Sequence, residues 1–168
     1  MKLVKLWEAD MKKAYALQTA FEANENGLVN LAYGYSFDQF IDYVQTRKGY
    51  EHGIGLPEGF VPDTVFVLVN DEGEYVGLFN FRHTLNDFLR AGPGHVGFGI
   101  APPFRRRGYA SEGLRLLVER ISPQIAEDEI YLSVHKDNPA SLRAMQNNGG
   151  VIHHEIEGAF CVRIPKIL

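Results

Sequence analysis

The chain has 168 residues, 45% hydrophobic and 23% charged, the balance of a soluble globular protein with one domain (1–168) and a real core. A net charge of −4 argues against a dedicated nucleic-acid binder, and no apolar run approaches the length of a membrane span. The single cysteine, Cys161, excludes an internal disulfide, and the opening MKLVKLWEAD lacks a signal-peptide core, so the expected location is cytoplasmic.

Lys2 to Trp7 reads as a short opening strand. Asp10 is placed to cap a helix carrying Met11, Ala14, Leu17 and Phe21 on one face. Asn24 to Tyr35, rich in Asn and Gly, reads as irregular. Ser36 and Gln39 form a capping-box pattern ahead of Phe40, Ile41 and Val44, so a second helix is expected, followed by a Gly/Pro-rich loop from Gly49 to Pro62. Thr64 to Val69 and Glu74 to Phe81 form a hairpin about the turn Asn70-Asp71-Glu72-Gly73. Thr84 to Arg90 reads as a short helix ended by Gly92-Pro93-Gly94, and His95 to Ile100 as the next strand.

A helix opening at Gly108 buries Ala110, Leu114, Leu117, Val118 and Ile121 at helical spacing and stops at Ser122-Pro123. Glu129 to His135 alternates with Ile130, Leu132 and Val134 on one face. Asn138 caps a further helix with Pro139 at its first position, and Gly149 or Gly150 ends it. Val151 to Glu155 and Ala159 to Ile164 are a last pair of strands around Gly158. The order predicts an α/β (α+β) fold: a central mixed, mostly antiparallel sheet of about seven strands with helices on both faces.

The stretch His95 to Glu112, HVGFGIAPPFRRRGYASE, is the most informative. An apolar strand, a Pro102-Pro103 break, three arginines and then Gly108-Tyr109-Ala110 opening an amphipathic helix make a device for holding phosphates. The N–H groups at a helix start and the helix dipole both favour an anion, and glycine lets the backbone approach it. A solvated basic surface turn is the plain alternative. Neither a Walker G-x-x-x-x-G-K-[ST] nor a dinucleotide G-x-G-x-x-G pattern occurs.

Arg105-Arg106-Arg107-Gly108-Tyr109-Ala110 resembles the R/Q-x-x-G-x-G/A motif of the GNAT N-acetyltransferase superfamily. Asn138-Pro139-Ala140-Ser141 through Asn148-Gly149 resembles that family's second segment, so the likeness covers about the last 75 residues. The resemblance implies acetyl-CoA, or a related acyl-CoA, as donor and an amine acceptor attacking the thioester through a tetrahedral intermediate. It assigns the pyrophosphate to the backbone of Arg105, Arg106, Arg107, Gly108, Tyr109 and Ala110. It assigns the pantetheine arm to a splayed strand at Phe98, Gly99 and Ile100, with Asn138 beside the arm and Ser141 near the phosphates. For Asn138 a helix cap alone is the structural alternative. Met145 stands where many members carry a tyrosine that protonates the departing thiolate, which keeps a GNAT-fold CoA-binding sensor or interaction module without turnover as the alternative function.

His95 begins the strand that the resemblance splays, at a place where several subfamilies carry a glutamate base. It faces the cofactor if His95, Gly97 and Gly99 share one side. His83, ending the neighbouring strand, is the second candidate base. A half-exposed structural histidine is the alternative at His95. His153 and His154, adjacent on a strand, point to opposite faces, and no Cys/His spacing suggests zinc, so no metal is expected. The Asn24–Pro62 region is expected to wall the acceptor site, with Glu22, Glu25 and Glu51 as carboxylates able to attract an ammonium or as plain solvated acids. Neither nucleic acid nor membrane is an expected partner, and a homodimer through the C-terminal strands is the candidate assembly.

Overall fold

Strand Asp63–Val69 is buried at every position, so it needs a helix layer on each side, and the architecture follows from that need. The computed structural model describes residues 1–167. In chain order it contains β1 (Lys2–Lys5), α1 (Met11–Thr19), β2 (Asn24–Glu25), β3 (Leu28–Val29), α2 (Phe37–Glu51), β4 (Asp63–Val69), β5 (Tyr75–Arg82) and α3 (Asp87–Ala91). There follow β6 (Val96–Ile100), α4 (Tyr109–Ile121), β7 (Glu129–His135), α5 (Pro139–Gln146), β8 (Val151–Ile156) and β9 (Ala159–Pro165). β1-β4-β5-β6 form one antiparallel sheet and β7-β9-β8 another, side by side. These are the seven expected strands, split into four and three.

One core lies between the sheets and α4, built on Phe66, Leu68, Phe79, Leu114, Leu117, Ile121, Ile130 and Leu132. The other lies beneath α1 and α2, built on Leu17, Phe21, Phe40, Val44, Val65 and Val67. Asp10 caps α1 by accepting from the Lys13 N–H, and Ser36 with Gln39 completes the capping box of α2.

The structure departs from the sequence reading in several places: the opening strand ends at Lys5, with Leu6–Glu8 a 3-10 turn, and α3 begins only at Asp87. The Asn24–Tyr35 stretch contains a small hairpin, β2–β3, turned by Asn26 and Gly27, both left-handed (φ 51° and 90°). α2 runs through Gly49 to Glu51, shortening the expected loop. No helix among the described residues is long and apolar enough to cross a membrane.

Candidate active site

The two sheets touch at one end and diverge at the other. Gly94 bridges Leu132, and the His95 N–H donates to the Tyr131 carbonyl at 2.7 Å. A Cβ on Gly94 would run into the Tyr131 backbone, so only glycine permits this approach. Beyond the junction no ladder joins β6 to β7. The Arg82 N–H donates to the His95 carbonyl and the Ala101 N–H to the Val76 carbonyl. By alternation residues 97 and 99 bond β5, and Val96, Phe98 and Ile100 turn their backbone polar groups to the gap. Phe98 anchors the strand by stacking on Phe79, ring centroids 5.5 Å apart.

At the far end of β6 the chain breaks at Pro102-Pro103 and enters the basic turn. Arg106 (φ 64°) and Gly108 (φ 80°) are both left-handed, an unusual state for arginine. None of the backbone N–H groups from Arg106 to Ser111 makes a backbone hydrogen bond of good geometry. They converge at the start of α4 as an anion-binding nest reinforced by the helix dipole. A Cβ on Gly108 would meet no protein atom within 4 Å, so the space above the turn is open.

The three arginines have separate duties. Arg105 Nε donates to the Ile100 carbonyl at 2.9 Å and its guanidinium pairs with Glu25, pinning the turn to β6 and to the β2–β3 hairpin. Arg107 lies over the Phe104 ring, 5.8 Å from its centroid, outside the cleft lining. Arg106 is left facing the cleft.

Across the gap, the Asn138 side chain accepts from the Ser141 N–H at 3.2 Å and caps α5. Asn147 Nδ2 donates to Ser111 Oγ and Asn148 Nδ2 to the Ser111 carbonyl, fixing α5 against the start of α4. The resulting cleft, about 1030 Å³, is lined by Phe98, Gly99, Ile100, Arg105, Arg106, Gly108, Tyr109 and Ala110 on one side and by Asn138, Ser141 and Met145 on the other. Its six free N–H groups, open turn and a strand edge unpaired apart from the Ile100 carbonyl fit the phosphates and the amide-bearing arm of coenzyme A. Asn138→Ala is expected to cost about 1 kcal/mol of stability through the lost cap. It should also weaken acetyl-CoA binding, read by denaturant melts and calorimetry on the same samples.

Neither expected base reaches this cleft. His95 is fully buried at the sheet junction. Its Nδ1 accepts from the Tyr131 N–H at 3.0 Å, so Nε2 carries the proton and donates to Glu127 Oε2 at 3.1 Å. Burial holds its pKa below the ordinary imidazole value, with the Glu127 hydrogen bond opposing the shift. His95 does not reach the cofactor gap because it sits at the closed end of the splay, where its N–H and Nδ1 are both taken by Tyr131 of β7. His83 faces the other way, its Nε2 2.8 Å from Thr64 Oγ1, and burial likewise lowers its pKa.

Of the six histidines only His135, at the end of β7, lines the cleft, against the β2–β3 turn. The sequence reading passed over it, although it directly precedes the Lys136-Asp137-Asn138 entry to α5. Glu25 reaches the cleft wall but is paired with Arg105, and Glu51 lies elsewhere, joined to Lys5 and Thr64.

A second cavity of about 420 Å³ opens on the α1–α2 side of the sheet. It shares Phe21, Gly27, Leu28, Arg82, Pro93 and Gly97 with the first, so the two meet beside β6. Residues of the Asn24–Pro62 region, among them Leu28, Asn30, Tyr43, Arg47 and Phe60, form much of its wall.

A turn of free N–H groups feeding a split between two strands is a form suited to an acyl-CoA. The chain belongs to the GNAT acetyltransferases: the family model described as an acetyltransferase (GNAT) domain matches residues 5–151. It is accordingly an acetyltransferase, with acetyl-CoA as donor. No curated protein sequence matches it.

Solved structures share its fold at low identity. Campylobacter jejuni N-acetyltransferase PseH in complex with acetyl coenzyme A is 14% identical, with TM-score 0.62 over 99% of both chains. Vibrio cholerae spermidine N-acetyltransferase in complex with CoA and spermine is 16% identical, with TM-score 0.64 over 98% of this chain and 95% of that one. A GNAT-family acetyltransferase from Streptococcus pneumoniae is 14% identical, with TM-score 0.61 over 99% and 98%.

Proposed function

We propose that this enzyme transfers the acetyl group of acetyl-CoA directly to a primary amine that enters through the second cavity. The observation that carries this reading is the meeting of the two cavities beside Gly97, where the absent side chain leaves a window and the nearest atom to a built Cβ is Arg82 Nη2 at 4.0 Å. Arg106, Gly108, Tyr109 and Ala110 hold the pyrophosphate through the free backbone of the turn, with the Arg107 N–H between them. The open edge at Phe98 and Ile100, with Asn138 opposite, holds the arm, and Ser141 flanks the phosphates. Acetyl-CoA supplies an activated acyl carbon; the chain supplies alignment and removes the proton.

An amine with a pKa of about 10 arrives protonated at neutral pH and must lose that proton before it attacks. His135 is the imidazole on the cleft wall and takes that part in this reading, while His95 and His83 serve the framework. Met145 has no proton to give, so the thiolate leaves without a side-chain acid there. Met145 is nearly buried and its surroundings are apolar, so Met145→Leu is expected to keep turnover within about twofold of wild type, measured by initial rates. The test of the function itself is release of CoA thiol from acetyl-CoA on adding a panel of primary amines, with the acetylated amine identified by mass spectrometry. Thiol release that depends on the amine supports transfer. Tight acetyl-CoA binding with no release above the amine-free rate would make the protein a CoA-binding module.

A further inference from the structure

Arg82, the last residue of β5, lines both cavities at their junction. Its Nη1 donates to the Gly94 carbonyl at 3.1 Å, and its Nη2 faces the space over Gly97. Among the described residues it has no ion-pair partner. Asp63, the acid on the same wall, gives its Oδ2 to Arg47 Nη2 at 2.5 Å. Burial lowers the pKa of Arg82, and Asp63, its cross-strand neighbour, opposes that shift, but the Asp63 Oδ2 is committed to Arg47, so a largely enclosed guanidinium is left without a direct ion pair; it still carries its charge.

The charged residues around the second cavity are Arg47, Asp63 and Arg82, two cations and one anion, so the lining is net +1. A polycation would meet that surplus as repulsion. Asn80, two residues before Arg82 on the same strand face, lines the cavity too, and its Oδ1 has no hydrogen-bond partner. Two residues along a strand span about 6–7 Å. That separation suits an ammonium on one side and an α-carboxylate on the other. Tyr43, Phe60, Phe88 and Leu89 complete an apolar wall.

We propose that the acceptor is an α-amino acid with an apolar side chain, its carboxylate held by the free edge of Arg82, its amine directed by Asn80 toward the window at Gly97, and its side chain against the aromatic wall. An amine beside an anion is the recognised chemistry, and a carboxylate matches the forked guanidinium edge left over from Gly94. The inference rests on the transferase reading above and names the substrate class of that same site.

The test compares matched pairs: phenylalanine with phenethylamine, leucine with isoamylamine, tyrosine with tyramine, and spermidine alone. Wild-type kcat/KM from thiol release should favour the amino acid of at least one pair by about tenfold or more, because a site built for a polar group rejects the analogue lacking it. Arg82→Gln should erase that preference by raising KM for the amino acid, and Arg82→Lys, which keeps the charge, should restore part of it. Acetyl-CoA affinity, measured alongside, shows that each variant is folded. Equal or better use of the decarboxylated amines or spermidine, or a preference that survives Arg82→Gln, overturns this inference and leaves the transferase standing. Intact acetyl-CoA binding with no amine acetylated at all overturns the transferase reading instead.

Discussion

Gly108→Val will weaken acetyl-CoA binding by at least about tenfold while leaving a folded protein. At φ 80° a valine is strained, at a cost of roughly 1–2 kcal/mol. No protein atom stands within 4 Å of the added Cβ, so the fold itself has room for it. The lost space is that in front of the free N–H groups of residues 106 to 111. The affinity loss should therefore exceed the stability loss, and Gly108→Ala should fall between wild type and valine. Calorimetric titration with acetyl-CoA, paired with a melt, reads both. Undiminished affinity in a folded Gly108→Val would remove the turn from the binding site.

His95→Ala will destabilise the protein by about 2–5 kcal/mol, the scale for emptying a buried site and orphaning its hydrogen-bond partners. The orphans are the Tyr131 N–H and the Glu127 carboxylate; Arg90 still holds Glu127 at 2.6 Å, and Arg163 lies over the Tyr131 ring at 3.6 Å. Stability should also lose part of its pH dependence. The folded-state pKa of His95 lies below the ordinary 6.5, so below that pH the unfolded chain binds the proton more readily. The contribution of His95 is thus present above pH 6.5 and lost as the pH falls into the acid range. Protonating Nδ1 would set its new hydrogen against the Tyr131 N–H. Urea melts at pH 7.5 and 5.5 should show a smaller drop in His95→Ala than in wild type. Whatever turnover the variant retains should keep the acidic limb of its kcat/KM profile. Disappearance of that limb would return His95 to the role of base.

The open basic turn was legible because its signals are local. A proline break, a glycine and an amphipathic helix lie within one short stretch, and the free N–H groups belong to the backbone. The Asn138 cap is legible for the same reason. The roles of the arginines were not, because Arg105 is engaged by Ile100 and Glu25 and Arg107 by Phe104, and only the folded turn shows who faces the cleft.

His95 was misplaced because where β6 meets β7 is a tertiary fact. It sits at the closed end of the splay, bonded through its N–H and Nδ1 to Tyr131 of the other sheet, a contact that strand periodicity does not encode. The second cavity gathers Arg47 from α2, Asp63 from β4, Asn80 and Arg82 from β5 and Phe60 from the intervening loop, so no local pattern could announce it. The Asn26-Gly27 turn carried a sequence signal, masked by strands only two residues long.

Amide hydrogen exchange with and without acetyl-CoA is the sharpest test of the proposed placement of the donor, because exchange reports individually on the backbone groups assigned to hold it. Acetyl-CoA should slow exchange at residues 106 to 111 and at the gap-facing amides of Phe98 and Ile100, with little change at residues 97 and 99, already bonded to β5. Protection confined to other segments, or none at the turn while calorimetry shows saturated binding, would contradict the placement of acetyl-CoA in this cleft.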